Sequence, residues 1–153
     1  IYIVVDTQPE KLLKINDNDL EEKKGQKSIL NGMARDYHQR ENLIKGLNNC
    51  NAEDLVLISD LDEIPNLSNL NLSEMKNKII IFQQKMFYYK LNLIYEGSSW
   101  YGTKGCKKKD LVSPQWLRNI KAKNYPKWRL DLLYSKKKHS DILLVKNDGW
   151  HFS

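Results

Sequence analysis

The feature that most constrains this chain is a short apolar run, Leu55-Val56-Leu57-Ile58, that stops abruptly at Ser59-Asp60-Leu61-Asp62-Glu63. A run apolar at every position and only four residues long reads as a strand buried on both faces, the kind found in α/β sheets covered by helices. In open α/β sheets ligands bind just beyond the carboxyl ends of the strands, which is where these acids fall. If the chain continues extended, side chains two apart point the same way, so Asp60 and Asp62 are expected to offer two carboxylates to one point. Such a pair suits a hard cation, Mn²⁺ or Mg²⁺, which in turn takes phosphate oxygens; a nucleotide diphosphate is the natural partner. The plainer alternative is that the acids cap a turn.

The rest of the chain frames this motif. With 153 residues, 41% of them hydrophobic, it falls within the roughly 100–200 residues of a single domain. Ile1-Tyr2-Ile3-Val4-Val5 predicts a first buried strand. Ser28 reads as a helix cap, followed by Ile29, Met33, Tyr37, Ile44 and Leu47 at near-helical spacing until Asn48-Asn49. Together with residues 55–58 these predict a strand-helix-strand unit with a right-handed crossover. Further on, strands are predicted over 79–82 and 86–89, a Gly/Ser turn at 97–99, a short helix from Ser113-Pro114 through Arg118, and a late strand over 142–145. No apolar run approaches the ~20 residues that cross a bilayer, so the chain as given is expected to be soluble.

Charge and side-chain chemistry narrow the function classes. The net charge of +6 sits largely on lysines after position 100, and such a surface attracts anions. The run Lys136-Lys137-Lys138 reads as a solvated face, whereas Lys104, set among Trp100, Tyr101 and Gly102, has the better claim to a role. Cys50 and Cys106 lack metal-type or redox-type spacing; a reduced compartment is the simplest inference, with one disulfide left open. His151, in Gly149-Trp150-His151-Phe152-Ser153, is a competent ligand for a Mn²⁺-like ion beside two aspartates, although a His next to a Trp is more often a structural hydrogen-bonding residue. His38 and His139 read as surface residues. Tyr88, Tyr89, Trp100, Tyr101 and Trp150 can form a stacking platform for a sugar, or simply fill the core. Haloacid-dehalogenase-like phosphatases also place Asp-x-Asp after a strand, but Glu63 and Ile64 follow where a Thr-bearing motif is needed, and no later acidic pair appears.

Several segments resemble a known family in the same order. Asp54-Leu55-Val56-Leu57-Ile58-Ser59-Asp60-Leu61-Asp62-Glu63-Ile64-Pro65, preceded by Ala34-Arg35-Asp36-Tyr37-His38-Gln39-Arg40, resembles glycosyltransferase family 17, whose best-known members are β-1,4-mannosyl-glycoprotein 4-β-N-acetylglucosaminyltransferases. Gln84-Lys85-Met86-Phe87-Tyr88-Tyr89, Trp100-Tyr101-Gly102-Thr103-Lys104, Ser113-Pro114-Gln115 with Leu117-Arg118, and the closing Gly149-Trp150-His151-Phe152-Ser153 extend the likeness over about four-fifths of the chain.

The resemblance implies a single α/β domain, 1–153, with a GT-A-like mixed sheet flanked by helices, lacking an N-terminal strand and a C-terminal extension that family members carry. It implies an inverting transfer of N-acetylglucosamine from a UDP-sugar to a glycan acceptor, on a glycoprotein, a lipid-linked glycan or a capsular glycan, with Mn²⁺ or Mg²⁺ as cofactor. Carried onto this sequence, Asp60 and Asp62 hold metal and diphosphate, with His151 as third ligand. Inversion also needs a base for the acceptor hydroxyl proton; Glu63, Glu96 and Asp148 are the options. Lys104 and Arg118 present donors to phosphate oxygens. A microbial or viral member would work in the cytoplasm, an animal-type one in the secretory-pathway lumen. Two other readings stand beside this one: an Asp-x-Asp metal-dependent phosphatase, and a basic module that binds glycan or nucleic acid without catalysis.

Overall fold

The computed structural model describes residues 2–68, 70–71, 78–146 and 149–153, with the backbone alone at Leu133. These residues form a mixed α/β architecture in two compact units, Ile1–Asn49 and Cys50–Ser153.

The first unit is built on one helix, α1 (Glu21–Asn42), continued by a 3₁₀ turn over Leu43–Leu47. The helix begins well before Ser28, which lies inside it. Glu21 and Glu22 occupy its first turn and Arg40 its last, charges that complement the two ends of the helix dipole. Glu21, Glu22, Lys23, Lys24, Gln26 and Lys27, good helix formers that outweigh Gly25, and a Lys24–Glu21 pair at 2.8 Å start the helix ahead of the expected cap. Residues 2–5 form no strand, contrary to expectation, and Ile1 lies outside the described residues. A strand needs a ladder, and here α1 side chains take up the N-terminal segment instead. Asn31 accepts from Leu13 N at 2.7 Å and donates to Leu13 O at 2.8 Å, Lys27 donates to Lys14 O at 2.8 Å, and Arg35 donates to Gln8 at 3.0 Å. These contacts hold residues 8–14 against the helix, while residues 2–5 pair with no strand among the described residues. The strand-helix-strand crossover therefore does not form.

The second unit is a six-stranded mixed sheet in the order β1 (Leu55–Ile58), β4 (Ile94–Lys107), β3 (Ile79–Phe87), β6 (Trp150–Phe152) and β2 (Glu63–Ile64), with β5 (Ile142–Val145) also on β3. β1 runs antiparallel to β4, and β4 to β3. The other edge of β3 is shared: β5 pairs parallel with Ile79–Phe82, and β6 parallel with Lys85–Phe87. β3 is thus the central strand. Ile80, Ile81 and Phe82 have no accessible surface, each worth about 1.5–3 kcal/mol relative to exposure. Val56, Ile58, Cys106, Leu117, Ile120 and Ile142 complete this core. Cys50 and Cys106 are free thiols, and burial, reinforced by Asp110, pushes Cys106 up to about 12.

The strands over 55–58 and 142–145 lie where the sequence predicts them, but β1 is an antiparallel edge strand in which only Val56 and Ile58 are buried, not one buried on both faces. The segments 79–82 and 86–89 fuse into β3, whose register with β4 shifts at Ile81/Gln83 and Gln84/Met86. Such bulges absorb the polar Gln83 and Gln84 without ending the strand. Residues 97–99 are not a turn but part of β4. The reversal falls earlier, closed by Tyr88 N on Leu93 O at 3.0 Å, with Tyr89 at φ +57°. The short helix α2 (Pro114–Asn119) forms as predicted, with Ser113 Oγ capping Trp116 N at 3.1 Å. A further turn of helix, α3, spans Asp131–Tyr134.

Candidate functional site

At the carboxyl end of β1 the chain turns at once instead of staying extended. Glu63 N donates to Asp60 O at 3.1 Å, and Asp60 N donates back to Glu63 Oε2 at 3.1 Å, leaving Leu61 fully exposed at the tip. The expected alignment of Asp60 and Asp62 by strand alternation is therefore replaced by a turn. After it, β2 pairs with β6 in the register Glu63↔His151 and Ile64↔Trp150, and Phe152 N donates to Asp62 O at 2.9 Å. Gly149 makes this pairing possible. Its φ is +118°, and a Cβ there would stand 2.4 Å from Ile64 O, a position only glycine fills without strain.

Glu63 is the hub. Its side chain has no accessible surface. Oε2 accepts from Asp60 N and from Arg118 Nη1 (2.8 Å); Oε1 accepts from Trp100 Nε1 (2.9 Å) and Arg118 Nη2 (3.0 Å). A carboxylate has about four lone-pair sites, so these donors saturate it. A base must accept the proton it abstracts, and Glu63 has nowhere to put one. The carboxylate positions Arg118, Trp100 and the Asp60 main chain. Gly102 lies against it: a Cβ at that position would fall 2.3 Å from Gln84 Oε1 and 2.5 Å from the Glu63 carboxyl carbon.

Arg118 is consumed in the same way. Beyond Glu63, Nη2 donates to Asp60 Oδ2 at 2.6 Å and Nη1 to Gly102 O, so the four N–H groups on the two terminal nitrogens point at protein acceptors. Lys104, expected to reach phosphate, is buried and donates to Arg118 O and Ile120 O, both at 2.6 Å. It caps the C-terminal carbonyls of α2. Burial, helped by the nearby Arg118 charge, lowers its pKa from 10.5 to about 8, against a smaller opposing pull from Glu63. Lys104 thus holds the helix, and the helix holds Arg118 on the acids.

Asp62 and His151 form the open edge of the site. Asp62 Oδ2 lies 3.8 Å from His151 Nδ1; the Asp62 side chain is 47% exposed and that of His151 6%. His151 Nδ1 is buried and has no hydrogen-bond partner among the described residues. Its ring packs against Trp100, centroids 4.2 Å apart and planes tilted by 59°. Among the described residues no group of three or more His, Cys, Asp or Glu side chains gathers as a metal cluster. Asp62 and His151 nonetheless offer a carboxylate and an imidazole to one point, a mixed oxygen and nitrogen set that a Mn²⁺-like ion accepts.

The remaining residues separate. Trp100 joins the hub, and Trp150 lies beside it in β6, both partly exposed. Tyr88 and Tyr89 gather at the β3–β4 turn with Tyr95, at ring separations of 5.8 and 5.3 Å. No ring contact joins the two groups among the described residues. Glu96 lies on the exposed half of β4, beside a shallow cleft of about 320 Å³. Asp148 lies outside the described residues. His38 and His139, expected at the surface, are both partly buried: His38 is bonded to Thr7 at 2.9 Å, and His139 lies edge-on to Trp116 at 5.6 Å. Sequence reasoning missed Gln84 and Thr103, whose polar side chains are buried under the site; Thr103 Oγ1 pairs with Ser59 Oγ at 2.7 Å, and Gln84 Nε2 reaches Trp150 O at 3.3 Å. Gln84 follows the apolar run Ile79–Phe82 in the central strand, which was the available signal for it; Thr103 lies in a strand of mixed polarity that carried none. Compared with family models, with curated proteins and with solved structures, the chain matches none.

Proposed function

We propose that this chain is the donor-handling part of an inverting glycosyltransferase of GT-A-like type, which moves N-acetylglucosamine from a UDP-sugar to a glycan acceptor with Mn²⁺ or Mg²⁺. The observation that carries the reading is the half-exposed Asp62 carboxylate, 3.8 Å from the buried Nδ1 of His151, which has no hydrogen-bond partner among the described residues, in the turn that follows β1.

In this reading Asp62 and His151 hold the ion from the protein side, His151 through a neutral ring with its proton on Nε2. A divalent ion bound there supplies a Lewis acid that neutralises charge on the departing diphosphate, a role worth several kcal/mol. Arg118 fixes Asp60 beside the site and Glu63 beneath it, so the turn is organised before any ligand arrives. Trp100 fixes the His151 ring and leaves a partly exposed indole face for a sugar. With Glu63 saturated, Asp148 or Glu96 takes the acceptor proton.

Calorimetric titration of UDP with and without Mn²⁺ tests the proposal. UDP binding that requires Mn²⁺ and is lost in Asp62→Asn and His151→Ala is the expected outcome. Metal-independent binding that both variants retain would sink it. An aspartyl-phosphate trapped on Asp60 would point to a phosphatase instead, and RNA binding that ignores Mn²⁺ and falls steeply with salt to a basic module.

A further inference from the structure

A second cleft, of about 440 Å³, opens in the same unit and is lined by Lys78, Asp110, Trp116, Lys127, His139 and Asp141. Its volume lies within the ~300–1,000 Å³ of small-molecule sites. Trp116 and Arg118 are two apart on α2, about 200° around the helix axis. The helix that aims Arg118 at the acidic turn therefore aims Trp116 to the other side, into this cleft.

Three observations define what the cleft can hold. Its four charged side chains cancel, two lysines against two aspartates, so no single-sign field selects an ion. Neither lysine makes an ion pair among the described residues, and Asp141 Oδ2 already accepts from Lys78 N at 3.2 Å, so the cleft presents ammonium donors beside the carboxylate of Asp110. Trp116 adds an apolar face among these polar groups. His139 supplies the third observation. Its main chain is pinned by Tyr125 N on His139 O at 3.2 Å and by a bridge to Asn124, while its Nε2 is buried without a partner among the described residues. An unpaired buried nitrogen costs about 1–3 kcal/mol. A half-turn about χ2 exchanges Nε2 with Cε1 without changing the ring's shape, which brings the nitrogen to the other edge of the ring for a ligand hydroxyl.

A ligand that donates and accepts around its rim, carries no net charge and has one apolar face matches this set. We propose that the cleft is a saccharide-binding site, taking a neutral pyranose with its C–H face on Trp116 and its hydroxyls on Asp110, Lys127 and His139. The site is separate from the acidic turn and goes beyond the transferase reading without depending on it.

Saturation-transfer NMR on the full chain tests the site, with the methyl glycosides of N-acetylglucosamine, mannose, galactose and glucose, and with neither nucleotide nor metal present. At least one glycoside is expected to receive saturation on its ring protons. Its affinity should fall about tenfold in Trp116→Leu and in Asp110→Asn, the scale of one lost contact. Circular dichroism verifies that each variant is folded, and Asp110→Asn preserves shape if Trp116→Leu does not fold. Absence of transfer to all four glycosides overturns the proposal, as does transfer undiminished in the folded variants. A shift of the Trp116 indole signal with inorganic phosphate but with no glycoside overturns it too. Loss of UDP binding in Asp62→Asn and loss of glycoside binding in Trp116→Leu are separate readouts, so either reading can fail alone.

Discussion

Glu63 and Asp62 sit side by side after β1, yet the Glu63 side chain has no accessible surface while that of Asp62 is 47% exposed. The difference follows from the turn, which sends one carboxylate beneath the sheet edge, where Arg118 and Trp100 meet it, and leaves the next facing outward beside His151. A buried charge persists only when its partners are complete, so the Glu63 cluster is built to hold shape. A half-exposed charge beside an imidazole Nδ1 with no hydrogen-bond partner among the described residues has capacity left for a ligand. Two acids of one motif thus divide into scaffold and site.

That contrast breaks first at Arg118. Arg118→Met leaves Glu63 buried without its counter-ion, and urea unfolding should register a loss of about 3–5 kcal/mol. If the variant is as stable as the parent, the hub is not a scaffold. Gly102→Ala forces a methyl into Gln84 and Glu63, and thermal melts should show a loss of about 1–3 kcal/mol from overpacking.

Lys104 sharpens the comparison through pH. Its pKa in the fold is lowered to about 8 from 10.5, so between those values the unfolded chain keeps a proton that the folded chain has released. Stability from this group is therefore flat below pH 8 and rises with pH through the window. The difference in urea midpoint between the parent and Lys104→Met, followed from pH 7 to 10.5, should trace that rise; a flat difference would place Lys104 in solvent. Asp62→Asn makes the smallest change. Its stability should stay within about 0.5 kcal/mol of the parent even where UDP–Mn²⁺ binding is gone, and a larger loss in the melt would move Asp62 from site to scaffold.

Much of the second unit was legible from local pattern. Leu55–Ile58, Ile142–Val145 and the Ser113-capped helix obey rules that involve only near neighbours: a continuous apolar run, or a hydroxyl three residues before an orphan N–H. The N-terminal run misled because an apolar β-rich stretch needs a partner strand, and none pairs with residues 2–5 among the described residues. The 97–99 turn misled because Gly97-Ser98-Ser99 carries turn chemistry, while pairing across Gln83 and Gln84 kept those residues in β4.

The residue types alone determined that acids gather after an apolar strand, and that an imidazole sits between two aromatics. Only the tertiary structure decided which of those acids is enclosed and which stays accessible. That outcome depends on donors from Arg118 and Trp100, 55 and 37 residues away from Glu63. Hydrogen-bond saturation is a property of what the fold brings together, and no spacing along the chain records it.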